Sequence, residues 1–229
     1  MAETIVVCGY GAGISEAVAR RYGREGYRVA LVARTADKVR TGAAALEEAG
    51  VRAAPFPCDL ADPEAVRATF AEIAATLGPV TVVHWNAYSG GAADLLAASP
   101  DELRTHFELS AVGLVTAVQV ALPAMKGQAH AAVLLTGGGL ALYDADVDAM
   151  AVGWHAMGLA LGKAVQHKLT GLLHARLKPE GVFVGEVMVM GAVRGTAFDQ
   201  GNATIAAEQV ADRLWQLHQA RDQVTVPLS

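Results

Sequence analysis

The strongest constraint on this chain is Thr4 to Ala19, TIVVCGYGAGISEAVA, where an apolar run stops at glycines and restarts with helical spacing. Ile5, Val6 and Val7 read as a short buried strand, and Gly9, Gly11 and Gly13 supply a tight turn free of side chains. From Ile14 and Ser15 onward, Ala17, Val18 and Arg21 recur at helical spacing. The turn therefore opens on a helix N-terminus whose free N–H groups favour an anion. Strand, turn and helix in this order, at the head of a parallel-sheet pattern, form the cradle that a dinucleotide needs. A bare turn is the alternative, because strand ends and helix starts collect glycine for ordinary reasons.

Strand and helix then alternate. Tyr27 to Ala33 reads as a second strand, and a helix runs through Glu48. Val51 to Cys58 is a third strand, expected to break early at Pro55 and Pro57, and Pro63 opens the next helix. Val80 to Trp85 is a strand, Pro100 to about Met125 a long helical region, and Ala131 to Thr136 a strand. A second long helix is expected from about Val152 to Leu177, then a strand Val182 to Met190, a helix around Ala206 to Ala220 and a last strand Val224 to Val226. This rhythm predicts right-handed βαβ units in an α/β, doubly wound, mostly parallel sheet of about seven strands with helices on both faces. No linker or low-complexity segment interrupts it, so residues 1–229 are expected to form one domain. The longest irregular pieces are Gly137 to Asp148 and Gly191 to Thr204.

Composition narrows the partners. A net charge of −5 and a pI near 5.8 leave no basic excess for nucleic acid. Cys8 and Cys58 form no disulfide or metal pattern and suit a reducing compartment. With no charged-then-apolar leader and no apolar run of membrane-spanning length, the expectation is a soluble cytoplasmic protein.

In a doubly wound sheet ligands sit beyond the carboxyl ends of the strands. That makes Gly9 to Gly13, Arg34, Asp59, Asn86 to Ser89, Gly137 to Gly139 and Gly191 to Thr196 one cleft. The second strand ends at Ala33, where an NAD site carries an acid for the ribose 2′-OH, and Arg34 and Thr35 follow. A guanidinium pairs with a 2′-phosphate through two parallel hydrogen bonds, so NADP(H) is expected over NAD(H). The alternative for Arg34 is a solvated helix-start residue. Asp59 is expected at the adenine amino group, with an ordinary cap aspartate as its alternative.

With these residues in hand the chain resembles the short-chain dehydrogenase/reductase family over nearly its whole length. CGYGAGIS matches the family's TGxxxGIG turn, with Cys8 for threonine and Ser15 for the last glycine. CDL at 58–60, WNA at 85–87, GK at 162–163 and GAVRGT at 191–196 fall at family-like intervals. The resemblance implies a Rossmann-type sheet, a nicotinamide dinucleotide, and homodimers or homotetramers packed through the two long helices. It implies cofactor contacts at Gly9, Gly11, Gly13, Ile14, Ser15, Arg34, Thr35, Asp59, Leu60, Asn86, Ala87, Lys163, Gly191, Val193 and Thr196, although Met190 replaces the usual proline. It also implies a catalytic set of asparagine, serine, tyrosine and lysine, in which tyrosine exchanges a proton with the substrate and lysine lowers its pKa.

Only the lysine remains. The YxxxK pair reads Leu159 and Lys163, the serine position falls on Gly137 or Gly138 beside Thr136, and the helical asparagine aligns with Ser110. No tyrosine occurs from 144 to 229. Candidate replacement donors are His155, expected on one helix stripe with Leu159 and Lys163 and about 12 Å from the lysine by helix rise, and the phenols of Tyr143 and Tyr88, for which a wall that packs against substrate is the alternative. His84, inside a strand, reads as a core histidine. Leu140, Leu142, Tyr143 and Trp154 are expected to wall an apolar, open substrate pocket. The function expected is an NADP(H)-dependent oxidoreductase acting on a small or medium apolar carbonyl, enone or imine. The alternatives are a catalytically degenerate relative with non-redox chemistry or a sensing role, and a structural subunit.

Overall fold

The computed structural model describes residues 3–199 and 201–229. Gln200, inside the expected irregular segment Gly191 to Thr204, lies outside the described residues. β1 (Thr4–Cys8), β2 (Arg28–Ala33), β3 (Ala53–Pro57), β4 (Val80–Trp85), β5 (Ala132–Gly138), β6 (Phe183–Val189) and β7 (Thr225–Leu228) form one parallel sheet in the order β3-β2-β1-β4-β5-β6-β7. The order reverses between β1 and β4, which opens a crevice at their carboxyl ends.

Helices cover both faces because every inner strand is apolar on both. α1 (Ile14–Arg24), α2 (Ala36–Glu48) and α8 (Ala207–Ala220) pack on the face carrying Ile5, Val7, Leu31 and Leu134. α3 (Pro63–Leu77), α5 (Leu114–Met125) and α7 (Met157–Leu177) pack on the face carrying Val6, Val83, Trp85 and Leu135. The fold is the doubly wound, Rossmann-type α/β architecture that the alternation predicts.

Four details differ from expectation. Pro55 and Pro57 do not break β3 but pair with Leu31 and Ala33, because β3 is the sheet edge and its outer side needs no donors. β5 runs two residues past Thr136, since Gly137 and Gly138 continue the ladder opposite Met188 and Val189. α4 (Pro100–Phe107), a π-helical turn (Glu108–Gly113) and α5 are continuous, and the stretch Pro100–Met125 is long and apolar enough to cross a membrane. Leu114, Ala117, Val118, Ala121 and Met125 of that stretch are buried against the sheet.

The fourth difference alters the site. The expected helix 152–177 is two helices, α6 (Ala145–Gly153) and α7, separated at His155, whose φ of +52° is left-handed. α7 starts at Met157 because Ala93 and Ala92, in the segment after β4, accept its first N–H groups, from Met157 at 3.4 Å and Gly158 at 2.9 Å.

Three histidines are buried, His84, His106 and His218, and burial lowers the pKa of each. His218 Nε2 donates to the His130 carbonyl at 2.9 Å, leaving Nδ1 to accept from the Tyr22 hydroxyl at 3.1 Å. His84 Nε2 meets the Thr136 hydroxyl at 3.0 Å. Burial pushes His84 down to about 3, helped by the Lys163 charge, and His218 down to about 4. The unfolded chain, with histidines near 6.5, therefore binds more protons below that pH, and stability falls as pH drops from about 6.5 toward 4. Urea unfolding at pH 7 and pH 5 is expected to show a lower midpoint at pH 5. A flat profile would contradict neutral burial.

Candidate functional site

The turn after β1 is shaped by backbone approach. Gly9 sits at φ +85°, and a Cβ there would lie 2.6 Å from the Ala87 nitrogen. Ser15, buried, donates to the Gly9 carbonyl at 2.8 Å and accepts from Asn86 Nδ2 at 2.6 Å. The Ser15 and Asn86 side chains thus brace the turn from within. Gly13 caps α1 at φ +88° with no side-chain cap, so the backbone N–H groups at Ile14 and beyond face the crevice. Thr196 closes the far side, its methyl 3.0 Å from where a Gly13 Cβ would stand and its hydroxyl on the Val193 carbonyl at 2.7 Å. A cavity of about 400 Å³ runs from Gly13 between α1 and α8, lined by Gly13, Glu16, Arg20, Arg194, Gly195 and Glu208. The uncapped helix start and the glycine approach fit a pyrophosphate.

At the end of β2, Arg34 and Thr35 are exposed, and Thr35 leaves the first turn of α2 uncapped by its side chain. The sequence reading missed Lys38, whose ammonium reaches to 3.8 Å from a Cβ built on Gly11. Asp59 is exposed and accepts from the Ala61 N–H at 3.1 Å, an Asx turn that occupies one of its oxygens. Leu60 is buried, with its carbonyl against Gly113. Ala87 is buried, and its carbonyl accepts from Gln166 at 3.0 Å. Gly191 is exposed after β6, and Met190 in the proline position donates its N–H to the Leu228 carbonyl at 2.8 Å. A proline could not make that bond.

Lys163 is the cation at the centre of the crevice. Its side chain is buried, and its ammonium donates to the Thr136 carbonyl at 2.7 Å and to Gln166 Oε1 at 3.3 Å. Burial pushes its pKa down to about 8, while the Glu186 charge acts the other way. The Tyr88 ring lies with its centroid 5.9 Å from the ammonium, and Phe198 packs on that ring at 5.9 Å from the segment after β6. Gly138 faces the lysine stem, and a Cβ there would make only ordinary contact at 3.8 Å. Gln166, a turn along α7 from Lys163, was legible as its i,i+3 neighbour but went unread.

The other expected chemical groups do not join Lys163. His155 is off the helix and exposed, so the shared stripe with Leu159 and Lys163 fails. Tyr143 is fully exposed. The Thr136 hydroxyl is taken by His84, so only its carbonyl serves the lysine. Ser110 is buried in the π-helical turn, its hydroxyl 2.7 Å from a Cβ built on Gly162. The Val193 side chain is buried in the core and its backbone bridges Ile205. An apolar groove of about 320 Å³ does lie beside α7, lined by Leu95, Leu140, Leu142, Tyr143, Met157 and Leu161. Trp154, exposed at the end of α6, is not part of its wall.

Known proteins share the fold and part of the sequence. The chain is 32% identical over 123 residues to a 3-dehydrosphinganine reductase of Arabidopsis thaliana, covering 53% of this chain and 36% of that protein. It is 36% identical over 100 residues to a 3beta-hydroxysteroid dehydrogenase of Mediterraneibacter gnavus, covering 44% and 36%. These matches span little more than a third of the relatives' length. L-sorbose reductase from Gluconobacter frateurii, solved with NADPH and L-sorbose, superposes with a TM-score of 0.86 at 18% identity over 100% of this chain and 95% of that one. An NADPH-bound short-chain oxidoreductase of Pseudomonas aeruginosa PAO1 containing an atypical catalytic center gives a TM-score of 0.85 at 20% identity over 99% and 95%. The family model for short chain dehydrogenases matches residues 3–203, from β1 into the segment after β6, and on that match the chain belongs to the short-chain dehydrogenase family.

Proposed function

We propose that the chain binds NADP(H) across the carboxyl ends of its strands and exchanges hydride with an apolar carbonyl, enone or imine. The observation that carries this is the buried Lys163 ammonium with the Tyr88 ring beside it and an open Gly138 against the lysine stem. The bound nicotinamide supplies the hydride. Gly9, Gly13 and the α1 N-terminus hold the pyrophosphate, Thr196 closes over it, and Lys163 holds the ribose. Arg34 and Lys38 supply the positive end for a 2′-phosphate, with Thr35 between them and Asp59 and Leu60 bordering the adenine. Tyr88 donates the proton to the substrate oxygen or nitrogen, and the groove between Leu140 and Leu161 takes the hydrocarbon part. NADPH in two structurally similar proteins, one with an atypical catalytic center, supports this reading.

Residues 1–229 act as one domain in this proposal, in a reducing, cytoplasmic setting where Cys8 and Cys58 stay buried thiols. Self-association uses the exposed Phe107 and Val112 beside α5 and Leu172 on α7. The second reading, cofactor binding without redox turnover, is favoured by Leu159 in the phenol's place.

Replacing Arg34 and Lys38 together by alanine is expected to weaken NADPH by about 10- to 100-fold, the worth of one or two charge-assisted hydrogen bonds. NADH binding should be unchanged. Equal loss for both nucleotides, read by fluorescence titration, would remove the 2′-phosphate assignment. The reading as a whole is tested by following NADPH consumption against ketones, enones and imines.

A further inference from the structure

Beneath Lys163, on the face of the sheet that carries α7, lies a set of ionisable groups that the proposed chemistry leaves unused. Glu186 stands in the middle of β6, in the otherwise apolar strand FVGEVMV, with no exposure at all. One of its oxygens is held by the His167 imidazole and by the Thr225 hydroxyl, the latter at 3.0 Å. The other oxygen has no hydrogen-bond partner among the described residues. It points at Gly137, where an added Cβ would come within 2.8 Å of it.

That position is next to the lysine. Gly137 follows Thr136, whose carbonyl holds the Lys163 ammonium, and His167 is one turn beyond Lys163 on α7. A carboxylate buried this completely is costly unless cations balance it. His167, with 37% of its side chain exposed, balances it only when protonated. Lys163 is the other candidate, and the Glu186 charge opposes the effect of burial on it. The other groups around the lysine are His84 from β4, Tyr88 after it and His106, which meets Gly162 from α4. None of them is a carboxylate.

We propose that Glu186 is the buried counter-charge that keeps Lys163 an ammonium, with His167 holding the carboxylate in place and Gly137 making room for its free oxygen. Glu186 is thus a positioning residue. This deepens the reading of Lys163 as the group that holds the cofactor ribose, and it accounts for a glycine where the family resemblance led us to look for serine.

The test uses the full chain without nucleotide. Lys163 is acetylated with acetic anhydride across pH 6 to 10, and its modification is read by mass spectrometry against denatured controls. The wild-type reactivity midpoint is expected near 8. Glu186→Gln should move it down by about one unit, a tenfold larger amine fraction at a given pH. His167→Gln leaves the carboxylate in place and removes no acid, so its midpoint should not fall. That contrast separates a charge effect from general loosening, and His167→Gln carries the test alone if Glu186→Gln does not fold. An unchanged midpoint in Glu186→Gln, or a fall in His167→Gln, overturns the proposal. NADPH titration of the same proteins gives a separate answer. Shifted midpoints with no nucleotide binding would keep the counter-charge and sink the cofactor reading.

Discussion

Tyr88→Phe is expected to lower carbonyl-dependent NADPH oxidation by about a hundredfold or more, the usual worth of a positioned general acid, while NADPH affinity stays as it was. The phenyl ring that packs on Phe198 and faces Lys163 remains, so the substitution removes the hydroxyl alone. Tyr143→Phe and His155→Ala should leave the rate unchanged, because Tyr143 is fully exposed at the groove's mouth and His155 lies outside α7. Steady-state kinetics on the three variants decide the matter. If Tyr88→Phe turns over as fast as the parent, the proton comes from elsewhere. If the parent binds NADPH and consumes none with any substrate, the non-redox reading takes over.

The choice among these donors shows what the sequence carried and what it did not. The β1 turn and α1 were legible because strand, glycines and helix are consecutive, and local spacing decides them. The His155 stripe was misread because i,i+4 spacing presumes an unbroken helix. The break at His155 comes from the carbonyls of Ala92 and Ala93, some sixty residues upstream, taking the first donors of α7. Pro55 and Pro57 looked like strand breakers until the sheet order placed β3 at an edge. Arg34 was visible at the strand end, but the reach of Lys38 to Gly11 depends on how α2 lies over the turn. Glu186 carried a readable signal, a lone acid in an apolar strand, whose meaning needed the partner helix. Consecutive residues announce the cradle, and residues far apart in the chain assemble the chemistry.

The largest effect is expected from Gly9→Ala, which should abolish measurable NADPH binding and lower the thermal midpoint of the protein. An L-residue at φ +85° costs about 1–2 kcal/mol in backbone strain alone. The added methyl would also stand 2.6 Å from the Ala87 nitrogen, a backbone atom of the next strand end that cannot swing aside. Relief requires β1 and β4 to part at their carboxyl ends, which breaks the Asn86 N–H bond to the Cys8 carbonyl, 2.9 Å long, and the Ser15 and Asn86 brace. Gly11→Ala is the control, since a Cβ there meets only the Lys38 ammonium at 3.8 Å and φ is not left-handed. It should fold normally and lose affinity for NADPH more than for NADH, because the methyl crowds the cation assigned to the 2′-phosphate. Should Gly9→Ala bind NADPH as well as the parent, the β1 turn is not the cradle, and the site must be sought elsewhere along the strand ends.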